Sequence, residues 1–273
     1  MLYNKGVPEI PLPLLVASGL ALVTVGMTAL WLLQRRTGNA AVVDVGWTAA
    51  LGLLGVAYAI FGSGAGPRRL LLGGMVGLWS LRLAVHLLRD RVLGQPEEGR
   101  YVRLRQHWGA AADRKLLGFF LAQAGAAVAL SLAFLPGVLD ARQAPDLFDA
   151  AGLALWLVGW SGEALADRQL AAFKREPGSA GAVCDRGLWA WSRHPNYFFE
   201  WLMWCAFILP GLPSTFGGLA LLAPAVMWLL VVKVTGIPTS EAQALRSRGE
   251  AYRDYQRRVS PFFPCPPRKE SPA

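Results

Sequence analysis

Several ionisable or amide side chains of this sequence lie in long apolar runs, where they could do chemistry. Residues four apart share one face of a helix. Three pairs have that spacing, namely Arg82 with His86, Glu163 with Asp167, and Asn196 with Glu200. Asp44 is a further carboxylate in an apolar run. An ionisable group within a membrane helix costs about 2.5–3.5 kcal/mol on insertion scales, so such groups usually mark a function or a buried partner.

The densest concentration of polar and aromatic residues is the segment CDRGLWAWSRHPNYFFEWLMW, residues 184–204. Arg193 and His194 supply hydrogen-bond donors, Asn196 supplies a neutral amide and Glu200 an acceptor. This mixture suits a ligand with phosphates at one end and a polar ring at the other. A belt of Trp, Tyr and Arg at the membrane interface would have a similar composition, so both interpretations stay open at this point.

The elements that must position these groups are predicted to be membrane-spanning helices. The chain has 54% apolar and 16% charged residues, whereas a soluble domain carries about a quarter charged residues. A span takes roughly 20 apolar residues. The seven candidate runs, of which the sixth is short, are Leu12–Leu33, Ala40–Phe61, Leu70–Leu88, Leu116–Leu135, Phe148–Ala166, Phe198–Leu212 and Phe216–Val234. We therefore expect an all-α polytopic membrane protein of about seven transmembrane helices, forming a single integral membrane domain over residues 1–273.

The distribution of basic residues predicts the orientation. Of 27 Lys and Arg residues, only Lys5, Arg68, Arg69 and Arg142 fall on the N-terminal side of the membrane, and Arg82 lies within a span. The positive-inside rule then places the N-terminus outside and the C-terminus in the cytoplasm. The polar pairs and Asp44 all fall at cytoplasmic helix ends, which predicts a site that opens to the cytosol.

The net charge of +9 does not indicate nucleic acid binding, because the basic residues lie between apolar runs rather than on one domain. The three cysteines and three histidines are scattered without metal-ligand spacing, so we expect neither a disulfide framework nor a metal site. After the last span, the sequence predicts one cytosolic helix with Ser240 as N-cap and Gln243 three residues later. The prolines from Pro261 onward end it.

GLW, SRHPNYFFE and the later E-x10-Y-x2-Y-x5-PFFP pattern resemble the C-terminal superfamily of the steroid 5α-reductases. The chain is most similar to the bacterial branch of uncharacterised membrane proteins with SRHPNY. The resemblance runs from about Asp44 to Phe263 and makes residues 184–263 the most motif-rich cofactor-binding segment. It implies seven spans, the inner membrane of a bacterium, and NADPH held among the helices and reached from the cytosol.

The resemblance carries cofactor contacts onto this chain residue by residue. Asn196, Glu200 and Trp204 match residues at the nicotinamide end, with Glu200 in the catalytic role of orienting the ring. The other matches, together with residues that stand beside them in the same motifs, are Arg82, His86, Asp90, Glu163, Asp167, Leu170, Lys174, Arg193, His194, Tyr197, Glu241 and Tyr252. Asp167, Leu170 and Lys174 correspond to ribose and phosphate binding. His86 and Asp90 replace a Tyr and an Asn of the family, and Glu241 replaces a His.

The residues that bind the steroid carbonyl in the family are not matched. The reductases carry a Gln-Glu pair where this chain has only Asp44, and Trp79 stands at their Tyr position. NADPH use is therefore better supported than steroid reduction. We expect a lipophilic substrate with an activated C=C, and Asp44 as a catalytic acid held neutral by desolvation.

The basic loop before the fourth span could close over the cofactor. In that hypothesis Arg100, Tyr101 and Arg105 contact the adenosine phosphates. Attraction of the same loop to anionic lipids is an equal alternative.

Two other functions remain open. Isoprenylcysteine and phospholipid methyltransferases also carry an RHPxY element, and in that hypothesis Arg193, His194 and Glu241 would hold S-adenosylmethionine. Seven spans and the stretch from Glu163 to Lys174 favour the reductase. A non-enzymatic scaffold, whose polar groups only pair with one another, would have no affinity for a nucleotide.

Overall fold

The computed structural model describes residues 10–179 and 181–268, and within them the chain forms helices and no strand, which confirms the all-α fold class. The α-helices, numbered along the chain, are α1 Leu12–Thr37, α2 Val42–Phe61, α3 Gly66–Leu87, α4 Gly99–Trp108, α5 Ala112–Ser131, α6 Leu135–Val138, α7 Leu147–Lys174, α8 Pro195–Ile208, α9 Gly217–Ala220, α10 Leu222–Leu229, α11 Ile237–Arg248 and α12 Glu250–Arg258. π-helical turns, Leu88–Val92 and Leu230–Val234, continue α3 and α10.

Five helical segments of the described chain are long and apolar enough to cross a membrane. They are Leu12–Thr37, Val42–Phe61, Gly66–Val92, Gly99–Val138 and Gly217–Arg248. These segments overlap the predicted first, second, third, fourth and seventh spans, of which the second and seventh were predicted to begin two residues and one residue earlier. The chain is therefore an integral membrane protein by the length and composition of its helices.

The predicted fifth and sixth spans are helical but are not among those five segments. The fifth lies within α7, which has 28 residues and continues past the predicted end into a charged stretch. The sixth corresponds to α8, whose 14 residues rise only about 21 Å, and to the 3₁₀ turn Leu209–Gly211. A bilayer core is about 30 Å thick, so the total of seven spans stays a prediction.

The chain divides into two compact units, and unit 1 comprises Met1–Gly152 with Phe207–Leu221. Its most extensive helix pair is α2 with α3. Small residues on α2 permit the close approach, because a Cβ at Gly55 would lie 2.5 Å from the Val76 side chain. Ser80 of α3 donates a hydrogen bond across the pair to the carbonyl oxygen of Thr48, at 2.9 Å. Small residues at the contact are typical of helices that associate in membranes.

A buried cluster of ion pairs ties the start of α3 to the start of α7 in unit 1. The guanidinium of Arg68 donates two hydrogen bonds to Asp149, at 2.8 and 2.7 Å. Arg142 pairs with Asp140 in the connecting loop, at 2.7 Å. Burial raises the pKa of Asp140, but the hydrogen bonds from Arg142 outweigh it and hold the pKa below its ordinary value. The cluster is charged and buried, and its guanidinium and carboxylate groups are hydrogen-bond partners of one another.

Unit 2 comprises Leu153–Ala206 with Leu222–Ala273, and within it α7 packs on α8. A Cβ at Gly159 would lie 2.6 Å from the Met203 side chain, and Gly162 lies against the ring of Phe199. Residue numbers rise along α7 while they fall along α8, so the two helices are antiparallel. Trp201 of α8 donates a hydrogen bond to the carbonyl oxygen of Pro224, at 3.0 Å.

The predicted single C-terminal helix is in fact two helices, and this expectation is corrected by the structure. The break lies at Gly249, whose φ of 55° is in the region that favours glycine. α11 begins at Ile237, so Ser240 is inside the helix rather than at its N-cap. The Ser240 hydroxyl forms a hydrogen bond with the hydroxyl of Tyr197 instead, at 3.0 Å.

The close packing of unit 1 can be tested by a substitution at Gly211. A Cβ at this position would lie 2.8 Å from the carbonyl carbon of Pro136, and backbone cannot move aside cheaply. We expect Gly211→Ala to cost about 1–3 kcal/mol and to lower the Tm in detergent. Gly218→Ala is the matched control, because no atom lies within 4 Å of its added Cβ. Equal Tm values for the two variants would contradict the close approach.

Candidate functional site

The C-terminal half of α7 carries a buried acidic pair. Glu163 and Asp167 are one helical turn apart, and only 3% and 9% of their surfaces are exposed. They lie on the same buried stripe of α7 as Ala166, next to the face that carries Gly159 and Gly162. Two carboxylates on a buried stripe of an apolar helix are costly unless they bind partners.

The start of α8 carries the matching pair predicted from the sequence. Glu200 is 9% exposed, and its carboxylate accepts a hydrogen bond from the indole N–H of Trp204, at 3.0 Å. Asn196 lies one turn earlier. Its side-chain oxygen is buried and accepts no hydrogen bond from the residues that the structure describes.

The antiparallel packing brings these two pairs to the same end of the helix pair. Phe199 of α8 lies against Gly162 of α7. The indole N–H of Trp189, six residues before α8, donates to the carbonyl oxygen of Ala166, at 3.0 Å. The carboxylates of α7 and the amide and carboxylate of α8 therefore lie at one level. Their oxygens are acceptors, which suits a ligand that presents N–H and O–H donors.

The loop before α8 is held by the C-terminal part of the chain. The backbone N–H of Arg193 donates to the carbonyl oxygen of Ser260, at 2.8 Å. The Ser192 hydroxyl donates to the carbonyl oxygen of Phe262, also at 2.8 Å. Tyr255 of α12 donates to the carbonyl oxygen of Trp189, at 2.5 Å. The PFFP and Y-x2-Y elements of the sequence are thus the structural supports of SRHP.

Arg193, His194 and Glu241 form one buried network. The Arg193 guanidinium donates to the Glu241 carboxylate at 2.6 Å, and His194 Nε2 lies 3.3 Å from the same oxygen. Gln256 donates to the other carboxylate oxygen, at 2.7 Å. Arg193 also donates to the carbonyl oxygens of Gln256 and Val259. The three residues predicted to bind a cofactor therefore serve as hydrogen-bond partners of one another.

The neighbouring aromatic residues complete this network. The ring of His194 stacks on that of Tyr197, with centroids 5.3 Å apart. Tyr252 is buried between α11 and α12 with Tyr255 and Ala244. Burial raises the pKa of Tyr252 above its ordinary value, so the side chain is a neutral phenol. In this position Tyr252 supports the fold of the C-terminal helices.

Asp44, the predicted catalytic acid, lies in unit 1 and accepts hydrogen bonds from three donors. The donors are Arg91 at 3.1 Å, Tyr101 at 2.9 Å, and Arg100. A carboxylate between two guanidinium groups serves as an acceptor. In this geometry Asp44 holds α4 against the start of α2. The sequence interpretation missed Arg91, which lies in the π-helical turn after α3.

Arg105, the remaining predicted phosphate contact of α4, is also engaged. Its guanidinium pairs with Glu97 at 2.9 Å and donates to the side-chain oxygen of Gln34 at 2.5 Å. The loop arginines therefore organise unit 1 by pairing with carboxylates.

The other predicted residues are placed as follows. Arg82 and His86 lie one turn apart on α3, both partly buried, and Asp90 is exposed in the turn after it. Leu170 and Lys174 occupy the last turns of α7, where Lys174 is exposed. Arg82, His86 and Asp90 belong to unit 1, whereas the α7 and α8 residues belong to unit 2. That both sets line one pocket stays a prediction.

Comparison with known proteins gives one family. A family model described as a protein of unknown function (DUF1295) matches residues 30–259, which include Asp44, the SRHPNY segment and Tyr252. No curated protein matches the chain, and no solved structure matches it.

The Arg193–Glu241 pair is expected to stabilise the fold strongly. The side chains are only 9% and 15% exposed, and Arg193→Met would leave the Glu241 carboxylate without its arginine. Breaking a buried pair costs about 3–5 kcal/mol, so we expect a large fall in Tm. Arg253→Met is the control, because Arg253 pairs with Glu250 on the surface, where a pair contributes about 0–1 kcal/mol. Similar falls in both variants would contradict the prediction.

His194 is expected to make stability depend on pH. Burial lowers the pKa of His194, and the hydrogen bond to Glu241 offsets only part of that effect. As the pH falls below about 6.5, the unfolded chain binds a proton that the folded chain does not. Stability from this group is therefore full above that pH and decreases below it.

We expect the Tm to fall between about pH 7.5 and about pH 5, and His194→Asn to remove part of the fall. His107→Asn, which changes an exposed histidine, should behave as the wild type does. A His194→Asn protein with the full wild-type pH dependence would exclude this role.

Proposed function

The chain belongs to the DUF1295 family of uncharacterised membrane proteins, and from that premise we propose that it is a membrane-embedded, NADPH-dependent reductase. Its substrate would be a lipophilic molecule with an activated C=C. The observation that supports this proposal best is the set of acceptor side chains at one end of the α7–α8 pair. The resemblance of SRHPNYFFE and of the E-x10-Y element to the steroid 5α-reductase superfamily supports the same activity.

The residues of this end fit the polar groups of NADPH. The nicotinamide carboxamide presents two N–H donors, and the Asn196 side-chain oxygen is a buried acceptor without a partner among the described residues. Glu200 would orient the same carboxamide, because the hydrogen bond from Trp204 already fixes one of its oxygens. Glu163 and Asp167 offer acceptors to ribose hydroxyls. When bound, NADPH supplies the hydride, and the chain supplies binding and orientation.

Asp44 has a different role in this proposal from the one its sequence position suggested. Proton donation requires a neutral carboxylic acid, whereas the Asp44 carboxylate accepts hydrogen bonds from Arg91, Arg100 and Tyr101. We assign Asp44 to the positioning of α4. Arg100 and Arg105 likewise hold carboxylates, which leaves the cofactor phosphates to other cations.

The proposed topology has seven spans, with α7 and α8 added to the five apolar segments. The distribution of Lys and Arg supports an N-terminus outside the cytoplasm and a C-terminus inside it. The end of α7 with Glu163 and Asp167 would then face the cytoplasm, from which NADPH enters. The resemblance to a bacterial branch supports the inner membrane.

The S-adenosylmethionine hypothesis assigns ligand binding to Arg193, His194 and Glu241. In the described structure these side chains bind one another and Gln256. A ligand there would have to displace a buried ion pair, which is costly. The reductase is therefore the function that we propose, and the methyl donor serves as the competing ligand in its test.

The proposal is tested by ligand binding to the detergent-purified protein. We expect NADPH to raise the Tm and to bind measurably by titration calorimetry. Glu200→Gln removes a charged acceptor and should weaken NADPH about tenfold. The control is Glu176→Gln, because Glu176 pairs with Arg186 on the surface. Its affinity for NADPH should equal that of the wild type.

The competing ligands make the outcome decisive. NADH, which lacks the additional phosphate, measures the preference for NADPH. Stabilisation by S-adenosylmethionine alone would overturn the reductase proposal, and the absence of stabilisation by any of the three would support the scaffold hypothesis instead.

A further inference from the structure

Two buried indole N–H groups lie in the middle of α7. Trp156 is 4% exposed, and its ring stacks on that of Trp160, with centroids 5.7 Å apart and planes 21° apart. The Nε1 atoms of both residues are buried, and neither donates a hydrogen bond to any residue that the structure describes. Indole N–H is a donor only, and it usually finds an acceptor when buried.

The position of the pair excludes the usual explanation for membrane tryptophans. Tryptophan concentrates at the two membrane interfaces, where its N–H reaches water or headgroups. Within the predicted fifth span, Phe148–Ala166, Trp156 lies about 12 Å from the first residue and Trp160 about 9 Å from the last, at a rise of 1.5 Å per residue. In the proposed seven-span topology, both residues are therefore nearer the middle of the span than either of its ends. Two donors left without acceptors there are costly, which indicates that a ligand supplies the acceptor.

The pair is aligned with the proposed cofactor-binding residues. Trp156, Trp160, Glu163 and Asp167 fall within about 60° of one another around the helix, at 3.6 residues per turn. Trp156 and Glu163 are about 10 Å apart along the axis. This length accommodates a nicotinamide ring and a conjugated carbonyl placed end to end. Along this stripe, the donors of Trp156 and Trp160 are followed toward the C-terminal end of α7 by the acceptors of Glu163 and Asp167.

We propose that Trp156 and Trp160 bind the carbonyl oxygen of the lipophilic substrate. An oxygen of a conjugated ketone accepts hydrogen bonds and gains negative charge when a hydride adds to the C=C. Fixed donors at that oxygen stabilise the charge, while the proton that completes the reduction comes from water. The substrate class is therefore a membrane-soluble enone, bound with its oxygen toward the middle of α7 and its C=C toward Asn196 and Glu200.

The catalytic part of this role rests on the proposed reduction, whereas carbonyl binding is testable without NADPH. The probes are a dodecyl-substituted cyclohexenone, labelled with carbon-13 at the carbonyl, and dodecylcyclohexene, which lacks the oxygen. Hydrogen bonds to a carbonyl shift its infrared stretching band to lower wavenumber. The full-length protein in detergent is titrated with each probe, and the band of bound enone is compared with that in empty micelles.

Trp156→Phe and Trp160→Phe, singly and together, remove the donors and keep the stacked rings. We expect the wild type to shift the band to lower wavenumber and the double variant to restore the position seen in micelles. The ratio of enone affinity to hydrocarbon affinity should fall about tenfold in the double variant. The control is Trp201→Phe, because the N–H of Trp201 already donates to Pro224; its band should match the wild type.

An unshifted band in the wild type would overturn the proposal, since the donors would then hold water or another partner. A shifted band that persists in the double variant would overturn it as well. NADPH affinity, measured on the same preparations, separates the two hypotheses. Failure of the wild type to bind NADPH would remove the reductase and leave the carbonyl site to be judged by its band alone.

Discussion

Arg193 and Glu241 are 48 residues apart in the sequence, yet the guanidinium donates to the carboxylate at 2.6 Å. Burying either charge without its partner would cost several kcal/mol. The loop before α8 and the helices α11 and α12 must therefore reach their positions together. Since α8 starts directly after His194, the same pair decides where Asn196 and Glu200 lie, and any ligand that binds beside these two residues depends on it.

The two units use their arginines in the same way. In unit 1, Asp44 accepts from Arg91 and Arg100, as Glu241 accepts from Arg193 in unit 2. Arginine forms such pairs well because its planar group presents several donors in fixed directions. Arginines that resemble phosphate contacts in the sequence thus pair with carboxylates in these places. Neutral groups differ in this respect at three positions, because the side-chain oxygen of Asn196 and the indole N–H groups of Trp156 and Trp160 are buried without a hydrogen-bond partner among the described residues.

The sequence predicted those parts of the fold that depend on local pattern. Long apolar runs became helices, and the spacing of Glu163 with Asp167 placed both on one buried stripe, because helical periodicity is a local property. Two features could not be predicted from local sequence pattern. Gly249 divides the C-terminal helix although the apolar stripe continues, and the pairing of Glu241 with Arg193 links distant segments. Trp156 and Trp160 were visible in the fifth run, but a tryptophan in an apolar run shows its unmet donor only when its neighbours are known.

The support of SRHP by the C-terminal segment has a consequence for biosynthesis. Phe262, which accepts the hydrogen bond from Ser192, is translated 70 residues after it. At about 5–20 residues per second, this interval is roughly 4–14 s. For most of that time α8 is already made while the PFFP segment is absent, and Glu241 follows Arg193 only after 48 residues. The newly made polypeptide must therefore carry a charged loop without its hydrogen-bond partners for several seconds. Maturation of this site follows the synthesis of residues 259–265 and does not accompany insertion of the helices.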